Sequence, residues 1–161
     1  MAVRPGRILR QLVYPDGAVC QLCGSVSYGD LLCGYCRHQL GLMRLAEPLC
    51  PRCGAPTVPG KDCGCRLPEY LTVRSAYLYA GPVAQLVQRL KFSQVGAAHV
   101  LLAQGITESL SQLDLPEDTV VTWITMPASR WKERAFDHAQ LLAQAAAEQL
   151  GLPCRKLLER P

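Results

Sequence analysis

The 161-residue chain has no apolar run near the ~18–20 residues needed to span a bilayer. Its basic opening stretch, Met1 to Val19, lacks an apolar segment of signal-peptide length. There is no GxSxG elbow, no GxxxxGK(S/T) phosphate loop and no HExxH pair, which removes the usual footing of serine hydrolases, P-loop enzymes and zinc proteases. Aromatics are scarce, at 6%, so a core has to rest on Leu, Val, Ala and Ile. Charged residues make up 19% against 49% hydrophobic, a balance that excludes a disordered chain. These absences predict a globular, cytoplasmic protein.

Cysteine is unevenly distributed. None lies between Cys65 and Cys154, while eight of the nine fall between Cys20 and Cys65. Disulfides are rare in a reducing compartment, and clustered CxxC pairs there hold metal more often than they form staples. Cys20 and Cys23 stand in CQLCG, and Cys33 and Cys36 follow after nine residues in CGYC. Cys50 and Cys53 stand in CPRCG, and Cys63 and Cys65 follow after nine more in CGC. The half-motif thus repeats with a period of 30, from Cys20 to Cys50. A CxxCG turn presents two sulfurs to one tetrahedral ion, and two facing turns close the shell at Zn–S distances of about 2.3 Å.

The repeat favours one ion held by Cys20, Cys23, Cys33 and Cys36 and a second held by Cys50, Cys53, Cys63 and Cys65. A cross-braced arrangement would interleave the pairs. The second set, ending in CxC, is the weaker of the two. Four thiolates leave no open coordination position, so both zinc ions are expected to be structural, and no catalytic residue is assigned. His38 is expected at the surface beside a complete ligand set.

The formal charge of +4 hints at nucleic acid, but its location weakens the hint. Residues 1–66 carry eight Lys and Arg against four Asp and Glu, whereas residues 67–161 carry nine of each, so the whole excess lies with the cysteines. Zinc binds thiolate, and each four-thiolate centre is a net −2 unit. Two such centres bring the cysteine-rich part close to neutrality.

Residues 7–13 suggest one or two helical turns, and Pro15-Asp16-Gly17 a turn. Beyond Leu67-Pro68-Glu69 the pattern changes. Residues 71–80 alternate like a strand. Pro82 suits a first helical turn, and Val83, Leu86, Val87 and Leu90 then make an amphipathic helix. A second helix is expected over 95–113, with Ala98, Leu101, Leu102, Ile106 and Leu110 inward. Residues 119–126 are a β-branched run stopped by Pro127. A helix over 134–150 ends at Gly151 and Pro153, and residues 154–158 begin another strand. The second half therefore predicts an α/β layer.

Taken with these motifs, the chain resembles the ComF family. The CxxCG pairs match that family's double zinc ribbon. Tyr79-Ala80-Gly81-Pro82 followed by Leu90-Lys91-Phe92 is similar to its Tyr-x-Gly, helix, Leu-Lys-Phe segment. Ile124 to Pro127 stands where the family has a strand ending in Pro-Val-Pro, and residues 130–142 resemble its Arg-Gly-Phe-Asn-Gln-Ala segment. Ala135, Asp137 and His138 replace the Gly, Asn and Gln of that segment. The resemblance implies an N-terminal helix and double zinc ribbon over 1–67 and part of a type I phosphoribosyltransferase-like α/β domain over 68–161. It implies a place in DNA uptake during natural competence, with a competence helicase or another uptake protein as partner and weak single-stranded DNA binding.

Transferases of that type bind phosphoribosyl pyrophosphate on a loop of two acidic residues followed by Thr and Gly. Glu117-Asp118-Thr119 is the nearest look-alike, and Trp123 fills the place where glycine is needed. The chain alone is therefore expected to be inactive, with Mg²⁺ relevant only to a complete transferase domain. Arg130, Lys132 and Arg134 remain a candidate anion loop. The competing reading is a non-enzymatic zinc-ribbon module that binds a protein partner or nucleic acid.

Overall fold

The computed structural model describes residues 18–92, 97–111, 113–127, 129 and 136–158. The expected helix at 7–13 and the candidate loop Arg130, Lys132 and Arg134 lie outside the described residues.

The 30-residue repeat is a repeat of backbone geometry. In the first ribbon Val19 bridges Val26, the Cys20 amide donates to the Ser25 carbonyl, Gly24 to Cys20, and Ser27 to Ala18. In the second Leu49 bridges Pro56, Cys50 donates to Ala55, Gly54 to Cys50, and Thr57 to Pro48. Every partner is displaced by the same interval. Each turn closes on a glycine in the left-handed region, Gly24 at φ 77° and Gly54 at φ 66°, where a side chain is strained.

The two second limbs differ. Cys33 is the N-cap of α1 (Gly34–Gly41), and Cys36 sits three residues on, so one helical turn aims both sulfurs the same way. Cys63 and Cys65 have no helix. Gly64, at φ 65°, turns the chain between them.

Three further helices follow among the described residues: α2 (Gly81–Phe92), α3 (Ala98–Leu110) and α4 (His138–Leu150). The buried face of α2 is Val83, Leu86 and Leu90, three of the four positions expected from its spacing, and Val87 is partly buried. On α3 the buried residues are Ala98, Leu101, Leu102, Ala103 and Gly105, while Ile106 and Leu110 are half-buried. Gly105 has a packing reason. A Cβ there would collide with the Tyr77 ring. Helix α4 packs most extensively on α3, through Ala143, Ala146 and Ala147, and Thr107 bonds Gln149 between them. Its C-cap is Gly151 in the left-handed conformation, as its sequence predicts.

Asp137 caps α4. It is buried, accepts from the Ala139 and Gln140 amides, and takes the Met126 amide on its other oxygen at 2.9 Å. That carboxylate thus ties the end of the 119–126 segment to the start of the helix.

The expected strands shrink to single bridges. Residues 71–80 pair only where Arg44 bridges Tyr77 in antiparallel sense, and 119–126 only where Val121 bridges Cys154 in parallel. Beyond that bridge the Leu157 amide goes to the Thr122 hydroxyl instead of to a neighbouring carbonyl, which stops the ladder. The described part of the second half is therefore mostly helical, with little strand. Among the described residues no helix is long and apolar enough to cross a membrane.

One core joins the first ribbon to the helices. Cys20, Leu22, Leu32, Cys36 and Leu40 form a continuous buried cluster with Val83, Leu86, Leu90, Ala98, Leu101 and Leu102. Cys50 is buried outside that cluster.

Candidate metal centres

Two groups of four cysteines converge. The sulfurs of Cys20, Cys23, Cys33 and Cys36 lie within 4.8 Å of one another, and so do those of Cys50, Cys53, Cys63 and Cys65. The ribbons are therefore sequential and not cross-braced. A tetrahedral ion with Zn–S of about 2.3 Å sets its ligands ~3.8 Å apart. Cys23 and Cys33 are 3.7 Å apart, Cys50 and Cys65 3.8 Å, and Cys53 and Cys63 3.3 Å.

Each group contains thiols pulled in opposite directions. Hydrogen bonds from Ser25, side chain and amide, bring Cys23 down to about 6. The amides of Cys53 and Arg52 bring Cys50 down to about 6. Burial opposes ionisation of Cys20, but the amides of Cys23, Cys33 and Leu22 outweigh it and its pKa is lowered. The other members move up. Burial and then Cys23 raise Cys36, hydrogen bonding to Cys53 and Cys50 pushes Cys63 up to about 12, and burial and then Cys50 raise Cys65. Four thiolates this close cannot share a site without a cation. A divalent ion that prefers sulfur resolves the conflict by displacing the remaining protons. The donor set, its spacing and this unbalanced charge all fit zinc. With four protein sulfurs per ion, such zinc stabilises the fold and leaves no coordination position for substrate.

His38 lies on the exposed side of α1. Residues that spacing did not reveal surround the centres. Arg89 on α2 donates to the Gln21 and Leu22 carbonyls inside the first CxxC loop, the latter at 2.9 Å. Arg74 donates to the Pro51 carbonyl inside the second at 2.7 Å. Nothing in the local sequence marks either arginine, because each acts on residues far away in the chain.

Comparison with known proteins agrees with this geometry. Residues 9–66 match the double zinc ribbon domain, and the two four-cysteine groups within them fit two structural zinc ions. Two curated relatives, both called DNA utilization protein YhgH, come from Salmonella typhi and Salmonella typhimurium. They are 31% and 32% identical to it, over 74% of this chain and 62% of each relative. These likenesses agree with the resemblance of the sequence motifs to the ComF family. It spans about three fifths of the length of these relatives. No solved structure matches it.

Proposed function

We propose that this chain serves DNA uptake in the cytoplasm, as a zinc-stabilised module that touches single-stranded DNA weakly and works beside a partner such as a competence helicase. The observation that carries this reading is the likeness to two DNA utilization proteins across 74% of the chain. The first ribbon offers a matching surface. Tyr28 and Tyr35 are among its most exposed side chains, and Arg37 and His38 stand exposed on α1 beside Tyr35. Exposed aromatics beside an arginine, here in a surface ion pair with Asp30, suit stacked bases with a phosphate backbone.

In the same reading residues 1–67 are the zinc-binding part, and 68–161 are part of a phosphoribosyltransferase-like α/β domain. The parallel contact of Val121 with Cys154 across α4 supports this, since a parallel pair joined by a helix is the βαβ unit of such sheets. No transfer of a ribosyl group is assigned to the chain alone. Its Glu117–Trp123 segment lacks the glycines that let backbone amides wrap a phosphate.

The test is anisotropy of a labelled oligonucleotide, single- or double-stranded, over a salt series. Each phosphate contact on a single strand adds about 0.7 to the slope of log affinity against log salt. A slope of a few units, a preference for the single strand and weakening by Tyr35→Ala are expected. Absence of binding at low salt would overturn the DNA reading. A specific observation favours a protein partner as the second reading. Ile124, Leu157 and Leu158 are exposed apolar residues flanking a pair that stops after one bridge, and such an edge accepts another strand.

A further inference from the structure

The two CxxC loops are held from outside in the same way. In the first, Arg89 bonds the Gln21 carbonyl through Nη1 and the Leu22 carbonyl through Nη2. The Gln21 carbonyl and the Leu22 amide are two ends of one peptide group. That amide donates to the Cys20 sulfur at 3.4 Å. A continuous path therefore runs from a guanidinium, across one peptide, to a metal-binding sulfur. In the second loop Arg74 bonds the Pro51 carbonyl at 2.7 Å, and the amide of that same peptide, on Arg52, is among the groups that lower the Cys50 thiol. The next carbonyl, on Arg52, is taken by the Val73 amide at 2.7 Å.

The repeat does not generate this likeness. Gln21 and Pro51 are related by the 30-residue interval, but Arg74 and Arg89 lie beyond both ribbons and are 15 residues apart. One sits on α2 and the other on the extended segment before it. Two unrelated stretches of chain have converged on one position of two related loops. Simple docking needs no such coincidence.

We propose that Arg89 and Arg74 are positioning residues for the two metal centres, each fixing and polarising the peptide whose N–H bonds the first cysteine of its loop. An amide whose carbonyl binds a cation is a stronger donor, because linked hydrogen bonds polarise one another. A four-thiolate zinc centre carries a net −2 charge, and a guanidinium one peptide away offsets part of it. The groups that orient and polarise metal ligands from behind commonly govern affinity by 10–100-fold.

The experiment uses the full chain with Arg89→Gln, Arg89→Lys and Arg74→Gln. Zinc affinity of each centre is measured by chelator competition, and the emptied centre is identified by alkylating its freed cysteines. Cobalt substitution then reports the sulfur-to-metal charge-transfer band. Arg89→Gln is expected to weaken the Cys20 centre about tenfold, the low end for a partly exposed contact, and to leave the Cys50 centre alone. Arg74→Gln should do the reverse. Arg89→Lys should recover part of the loss by restoring the charge. The cobalt band should shift in the affected centre only, while far-ultraviolet dichroism stays constant. Unchanged affinities with an unshifted band, or a parallel fall of both centres in each variant, would overturn the proposal. Should Arg89→Gln fail to fold, Arg74→Gln decides the matter at a more exposed contact.

Discussion

The two ribbons share a loop, a bond pattern and a ligand set, yet they do different work. The first is part of the core. Its Cys20 and Cys36 are 2% and 6% exposed and pack with the apolar faces of α2 and α3. The second is tied to the remainder of the chain by hydrogen bonds from both backbone and arginine side chains. Val73 and Arg74 bond its loop, Arg52 bonds the Leu67 carbonyl, and residues 58–64 are exposed throughout. The repeat itself explains the divergence. Leu22 and Leu32 of the first ribbon are buried in the shared core, and the residues 30 positions later are Arg52 and Asp62. A zinc module can therefore be copied without its hydrophobic anchor. The copy then depends on its ion for its shape and on a few hydrogen bonds for its place.

The sharpest break of this comparison is removal of one ligand from each centre. Cys36→Ser removes a ligand and a core contact together. Structural zinc contributes about 10–16 kcal/mol to small zinc modules, as much as the whole stability of an ordinary domain. Its expected result is loss of the cooperative helical transition in dichroism. Cys65→Ser should release one zinc by elemental analysis and leave that transition in place.

Leu22→Ala should cost about 2–5 kcal/mol in denaturant unfolding, as for a buried leucine. Arg52→Ala, its counterpart in the repeat, should cost about 1 kcal/mol or less in the same measurement. Equal effects would mean that the second ribbon is as deeply anchored as the first.

The glycine pair reverses the order. Gly24 and Gly54 both have positive φ, so alanine at either incurs about 1–2 kcal/mol of strain. At Gly24 the new methyl meets nothing within 4 Å, whereas at Gly54 it would lie 2.8 Å from the Val73 carbonyl. Gly54→Ala should therefore be the more disruptive, and thermal unfolding should show it. It should also speed chelation of the second ion, because it pushes that ribbon off residues 73–75.

Much of this arrangement is legible in the sequence, and the limits have physical causes. The 30-residue period announces matching loops because ligand spacing is local geometry. The apolar stripes of α2 and α3 and the stop at Gly151 are local as well. The strands expected over 71–80 and 119–126 reduce to single bridges, because β-branched content measures fitness for a ladder and says nothing about whether a partner strand exists. The α1 helix is not legible in the sequence, since a segment with so many cysteines and glycines carries little helical periodicity. Asp137 stands where the resemblance expects asparagine. Its role as a buried cap that also holds the Met126 amide depends on a contact across 11 residues, which no local pattern encodes. Arg74 and Arg89 were invisible for the same reason.

Acid should separate the centres more gently. In the metal-free chain burial and neighbouring thiols hold Cys36 protonated in the first centre, and Cys63 and Cys65 are raised in the second. Zinc must displace the remaining protons, so affinity falls as pH falls; two thiols, Cys20 and Cys23, are lowered in the first centre against Cys50 alone in the second, so the fall is steeper at the second. Chelator competition at several pH values from neutral downward would check the order. A steeper fall at the Cys20 centre would contradict it.

The central claim is that one zinc belongs to the core and the other to a peripheral clasp. Stepwise chelation of the fully loaded chain, followed together by zinc count and by amide hydrogen exchange, tests it most directly. The first ion to leave is expected to come from Cys50, Cys53, Cys63 and Cys65, with exchange rising over residues 49–66 while α2, α3 and α4 stay protected. Simultaneous loss of both ions, or loss of protection in those helices when the first ion leaves, would contradict it.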